Sequence, residues 1–126
     1  MTMRVALLSH HYPLGPGDWK VPFVVARAKA LAKRLDVTVV HAVPWMQGLP
    51  ADCDAPVRVR RARYVYVPGV GKRFDGRLLA RSAQDAVAAA LPDLVEAQFG
   101  YPDGEAATTI ARRIGCASAV VLRGTE

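Results

Sequence analysis

Between Ser9 and Pro22 the chain gathers residues that could do chemistry: adjacent His10 and His11, then Gly15, Gly17, Asp18, Trp19 and Lys20. Four chemistries can be tried on this run. A dinucleotide site needs G-x-G-x-x-G in a tight turn, so that a helix N-terminus faces the pyrophosphate. Here Lys20 stands where the third glycine belongs, and the span from Ser9 to Pro22 is too long for a tight turn. A P-loop is excluded because no G-K-[ST] occurs. For a metal, neighbouring histidines in an extended segment point in opposite directions and His41 belongs to another strand, so three ordinary histidines are expected and no metal site. Glu96 and Glu105 fall on a strand and the following helix with no reason to converge. Most of the eleven acids read as caps or solvated faces. What stays open is a looser phosphate or sugar-phosphate site. Gly15 and Gly17 would let backbone N–H groups approach an anion beside a helix N-terminus. The same glycines could equally serve only to turn the loop, and the residue types alone do not separate these readings.

The elements around this loop follow from periodicity. Val5, Ala6, Leu7 and Leu8 are an unbroken apolar run, as expected of a strand covered on both faces in the middle of a parallel sheet. Pro22 suits a first helical position because its missing N–H would be orphaned there. A helix over 22–34 then turns Val24, Ala28, Leu31 and Leu35 inward, with Arg27, Lys29, Lys33 and Arg34 facing water. Strand two covers 37–43, followed by a loop rich in Pro, Gly and Asp. In strand three, Val57 and Val59 alternate with arginines, but Arg61 and Arg63 then occupy the valine parity. A bulge or break is therefore expected near Arg60 and Arg61, with a second short strand or edge extension over 64–67. Asp75 is expected to cap a helix over 75–91, with Leu79, Ala83, Ala86 and Ala90 inward. Strand four covers 94–99. A helix to Ile114 follows, stopped by Arg112, Arg113 and Gly115, and strand five covers 117–122.

The order β-α-β-β-α-β-α-β predicts an α/β fold: a doubly wound, mostly parallel Rossmann-like sheet ordered 3-2-1-4-5, in a single domain over residues 1–126. The length of 126 residues suffices to bury roughly two-thirds of the unfolded surface. Cys53 and Cys116 lack metal or redox spacing and read as idle thiols. No apolar run approaches the ~20 residues of a membrane span, and the amino terminus enters a strand without a signal segment. The cytoplasm, or the inner face of the membrane, is the expected location. A formal charge of +6 points to an acidic partner. Residues 58–81 concentrate eight of the seventeen Lys and Arg against one acid, Asp75. This stretch reads as a solvated face or as contact with an anionic membrane surface. Tyr64 and Tyr66 are a thin version of the aromatics a nucleic-acid binder would interleave.

The segment RVALLSHHYPLGPG…PFVVARAKALAKRLDVTVVHAVP resembles the amino-terminal domain of GT-B glycosyltransferases of the family 4 type. LPDLVEAQFGYPDGEAATTIARRIG is similar to the family's fourth strand and following helix, and ASAVVLRGTE to the next strand, ending in an R/H-G-[ST]-[DE] turn. The resemblance implies transfer of a sugar from a nucleotide-sugar donor to a sugar or lipid-linked acceptor, with retention of configuration and no obligatory metal or other cofactor. It implies that Gly15 and Gly17 contact the donor diphosphate, and that Arg123 stands where the family often has a catalytic-cleft histidine or arginine. Gln98, Phe99, Gly100 and Tyr101 would line the same cleft on the acceptor side. Trp19 would stack on an acceptor sugar and Lys20 would contact it by charge, although local packing or a solvated lysine accounts for them equally well. The family's donor nucleotide is held by a carboxy-terminal domain with an E-x7-E motif, whereas Glu96 and Glu105 are spaced E-x8-E. The expectation is therefore an isolated acceptor-side half without transferase activity of its own. Its open strand-five edge, over 118–122, is expected to pair with a second chain. The alternative is a non-enzymatic α/β domain binding a phosphate compound, nucleic acid or anionic lipid.

Overall fold

A computed structural model describes residues 2–15, 17–67 and 72–122. Among the described residues there are five strands: β1 (Arg4–Ser9), β2 (Asp36–Pro44), β3 (Arg58–Tyr64), β4 (Leu94–Ala97) and β5 (Ala117–Val120). They form one parallel sheet in the order β3-β2-β1-β4-β5. Helix α1 (Pro22–Ala32) lies between β1 and β2, α2 (Asp75–Ala89) between β3 and β4, and α3 (Asp103–Ile114) between β4 and β5. The fold is therefore the expected doubly wound α/β arrangement.

The apolar runs dictate this layering. Along β1, Val5 and Leu7 pack with Val24 and Ala28 of α1, while Ala6 and Leu8 pack with Leu79, Ala83 and Ile110 of α2 and α3. Right-handed crossovers put α1 and the 45–57 connection on one face because β1, β2 and β3 advance in one direction. The return over β2 and β1 to β4 puts α2 and α3 on the other. The strand order reverses between β1 and β4, so this is the switch point, beyond whose strand carboxyl ends doubly wound sheets form their ligand crevice.

Several boundaries and orientations differ from expectation. Strand β3 pairs with β2 without interruption, from Thr38↔Arg58 to Pro44↔Tyr64, so there is no break at Arg60 and Arg61, and residues 65–67 form no strand. The valine parity does carry Arg61 inward; hydrogen bonds there satisfy its guanidinium, and the strand need not slip. Arg27 does not simply face water: its guanidinium reaches Glu96 on β4. Asp75 is the first residue of α2 rather than its cap, a place held by Phe74, and its charge complements the helix N-terminus. Helices α1 and α2 end two residues earlier than expected, at Ala32 and Ala89, and β4 and β5 stop at Ala97 and Val120. Gly115 closes α3 as expected, with φ 79°. No helix among the described residues is long and apolar enough to cross a membrane.

Candidate functional site

The crevice at the switch point is built from the end of β1, the turn after β4 and the first turn of α3. Ser9 is buried. Its Oγ donates to the His11 carbonyl and accepts from the His11 N–H at 3.1 Å. That local turn ends the extended geometry, so the two imidazoles do not diverge as expected: their centroids are 4.1 Å apart with planes tilted by 46°. Phe99 presents its ring edge-on to both, at 5.3 Å from His10 and 5.8 Å from His11. Phe23, at the start of α1, meets Phe99 at 6.2 Å.

Asp103 opens α3 with its side chain fully buried. Its Oδ1 lies 2.6 Å from His10 Nδ1, and its Oδ2 accepts the His10 backbone N–H at 3.3 Å. Burial pushes the Asp103 carboxyl above its ordinary range, opposed by the hydrogen bonds and charge of His10. His11 is shifted the other way: burial lowers its pKa, helped by the charges of His10 and Lys20. On the α1 face of β4, buried Glu96 receives Arg27 Nε and Nη2 together with Gln98 Nε2 at 3.0 Å.

Beside this crevice the first loop folds around Asp18, whose carboxylate accepts the N–H groups of Leu14 at 2.9 Å and Lys20 at 3.0 Å. Those two bonds hold its pKa below the ordinary range. Gly17 has φ +89°, a conformation that favours glycine, whereas nothing lies within 4 Å of a Cβ built on Gly15. The loop, α1 and the 45–57 connection enclose a cavity of about 830 Å³, walled by Tyr12, Val25, Val57 and Val59, with Lys20 and Lys29 on its lining. It opens there because a connection without a helix joins β2 to β3.

Arg61 ties these parts together. Its Nη1 donates to the Pro13 carbonyl at 3.0 Å and to His41 Nδ1 at 2.7 Å, and its Nε donates to the Ala51 carbonyl at 3.4 Å. A lysine can supply the charge but not this planar fork. Arg61→Lys is therefore expected to cost about 1–2 kcal/mol, read from the urea midpoint, and to speed amide exchange in residues 12–15.

The expected site residues divide between these two places. Gly15, Gly17, Trp19 and Lys20 line the cavity, with Trp19 85% exposed. Gln98 and Phe99 belong to the crevice, and Gly100 closes its turn by accepting the Gly104 N–H at 3.2 Å. The Tyr101 hydroxyl accepts the Gly76 N–H at the start of α2. Arg123 lies outside the described residues. His10, Asp103, Arg27 and Glu96 were not expected here. An acid opening a helix reads by itself as a dipole complement, and only proximity to β1 makes Asp103 more than that.

Several arginines of the basic run have partners. Arg58 pairs with Asp36 and Arg60 with Asp54, each at 2.9 Å, and Arg63 donates to the Trp45 carbonyl at 3.1 Å. With Arg61, four of its arginines are tied into β3 and its neighbours. Among the described residues, no group of three or more His, Cys, Asp and Glu could hold a metal ion.

By sequence the chain matches no family model and no curated protein. Two solved structures of the C-terminal domain of a hydrogenase from Pyrococcus furiosus are similar to it in fold. One, residues 78–226 of that protein, gives a TM-score of 0.61 at 18% identity, covering 94% of this chain and 90% of that one. The other, residues 83–215, gives 0.61 at 14% identity, covering 95% and 91%. At such identity the likeness speaks to architecture alone: this chain is a doubly wound, all-parallel α/β domain.

Proposed function

We propose that this chain is the acceptor-side, amino-terminal domain of a retaining glycosyltransferase, working with a second domain that holds the nucleotide of a nucleotide-sugar donor. The observation that carries the reading is the meeting of the first loop and the β4–α3 turn across the β1/β4 switch point, through His10 and Asp103. In doubly wound sheets ligands enter at this crevice, and these two segments carry the residues that the resemblance implies contact donor and acceptor, apart from Arg123. The aromatic wall of Phe99 and Phe23 suits the C–H face of a sugar ring.

Gly15 supports the same reading. Its backbone does not need glycine and a Cβ there would meet open space, so close approach of a ligand is a reason for a glycine that the fold does not supply. Asp18 already occupies the N–H groups of Leu14 and Lys20. A donor diphosphate would therefore use the amides of Gly15 and Gly17, with Lys20 adding charge.

The test is titration of the chain, and of a longer protein carrying it, with UDP- and GDP-sugars, followed by a turnover assay. Binding and turnover by the longer protein are expected, with much weaker binding by the chain alone, which holds only the diphosphate side of the donor. Gly15→Ala should stay within about 0.5 kcal/mol of the parent in stability yet weaken donor binding at least several-fold. Binding of nucleotide-sugars without turnover by the longer protein would favour a non-enzymatic anion-binding domain. No binding at all would end the transferase reading.

A further inference from the structure

We propose that the cavity between α1 and the 45–57 connection is a binding site for an organic acid with an apolar body, of the medium-chain fatty carboxylate class. Its walls and its charges suit two parts of one such molecule. A helix ordinarily joins parallel strands, but the connection from β2 to β3 has none, and about 830 Å³ stays open against the sheet. Sites for small organic molecules span about 300–1,000 Å³. Tyr12, Val25, Val57 and Val59 wall this one. Water is held poorly there, because a bound water needs polar partners around it, so an apolar ligand body fits those walls better.

The charged groups on the lining call for an anion. Its two carboxylates are already engaged: Asp18 accepts the N–H groups of Leu14 and Lys20, and Asp52 Oδ1 accepts the Arg61 N–H at 2.8 Å. Of its three cations, Lys20 approaches an acid, with Nζ 3.9 Å from Asp18. Lys29 and Arg61 have no ion-pair partner among the described residues. Side chains alternate along a strand, so Arg61 shares the face of Val57 and Val59. Its Nη1 and Nε donate to neutral acceptors, two carbonyls and the His41 ring, and Nη2 has no hydrogen-bond partner among the described residues. No side-chain nitrogen or oxygen there is both buried and unpartnered, so Nη2 is within reach of solvent. A guanidinium that meets only neutral acceptors is incompletely compensated, and a carboxylate is the group its planar fork takes best. Lys29, exposed on α1, adds a second cation to the same lining. Such a ligand is independent of the transferase reading: the cavity would take it whether or not the first loop meets a donor.

The test is titration of the chain with octanoate, octan-1-ol and acetate, followed by amide spectra. Octanoate should bind saturably, about tenfold tighter than octan-1-ol, and acetate should not bind. Lys29→Gln should weaken octanoate by about twofold to fivefold and leave octan-1-ol unchanged. Ala26→Trp, which adds bulk to the lining from an exposed position of α1, should weaken both. The place of binding is read from Cys53, half-buried on the cavity lining. In a Cys116→Ser chain it is the only thiol, and saturating octanoate should slow its alkylation by iodoacetamide several-fold. An unchanged rate at saturation would place the ligand elsewhere and overturn the assignment. Equal affinities for octanoate and octan-1-ol would overturn it too, as would the absence of saturable octanoate binding. Binding only to vesicles containing phosphatidylglycerol would assign these cations to a membrane surface instead.

Discussion

Leu8→Ala is expected to destabilise the domain by about 3–5 kcal/mol, toward the upper end for a buried leucine. Leu8 lies in the central strand, wholly buried between Val40 of β2 and Ala97 of β4. The face it enters is covered by helices whose contacting residues are largely Ala80, Ala83, Ala106, Ala107 and Ala111. Alanines let α2 and α3 approach the sheet closely, but they have no rotamers with which to fill a cavity. The bulk of that layer rests on a few side chains, Leu8, Leu79 and Ile110 among them. Total stabilities of small domains run about 5–15 kcal/mol, so the variant should lose a large share of its folded population on mild denaturation. Urea unfolding with an unchanged m-value is the measurement. Leu8→Met, which nearly conserves volume, should cost less than about 1.5 kcal/mol, and equal losses for the two variants would show that packing of this layer is not what limits stability.

Acidification is expected to unfold the chain through His41. Its ring is buried in β2, and burial, followed by the charge of Arg61, lowers its pKa from 6.5 to about 3. Between those two values the unfolded chain binds a proton that the folded chain refuses, so stability is complete above about pH 6.5 and falls as pH drops toward 3. The slope from this one group reaches about 1.4 kcal/mol per pH unit at most. His11, also lowered, contributes in the same direction. Asp103 opposes them: its folded pKa is raised, so the folded state takes up a proton more readily there as pH falls through that range. Urea midpoints measured across pH 3 to 7 should decline on the acid side, and His41→Gln should remove about one proton from the linkage. An unchanged slope in that variant would mean that His41 is not the residue refusing the proton.

Much of the fold was legible in the sequence because its signals are local. The run Val5-Ala6-Leu7-Leu8 announces a strand covered on both faces, and the period of Leu79, Ala83, Ala86 and Ala90 announces a helix with one buried side, although in its second half Val87 is the residue fully buried. Pro22 and Gly115 mark a helix start and a helix end through backbone constraints that any neighbour would leave in place. From such elements the handedness of crossovers leaves few strand orders, and 3-2-1-4-5 is the one adopted. The candidate site was legible only in part. The loop after β1 was visible from its glycines and histidines, but its partner turn was read without the carboxylate that matters most.

By itself, the sequence determined the elements, their order and the two faces of the sheet, since hydrophobic burial follows from residue spacing within a segment. Only the tertiary structure decided where the buried charges and imidazoles find partners. His10 meets Asp103 across 93 residues, Arg27 meets Glu96 across 69, and Arg61 meets His41 across 20. Each of these groups read alone as surface, cap or bystander. A polar group is retained inside when a complementary one arrives from another element, and that coincidence exists only once β1, β4 and α3 have packed. The inward Arg61 shows the same logic on a single strand. Its parity implied a break in β3, and three acceptors from elsewhere in the chain made the break unnecessary.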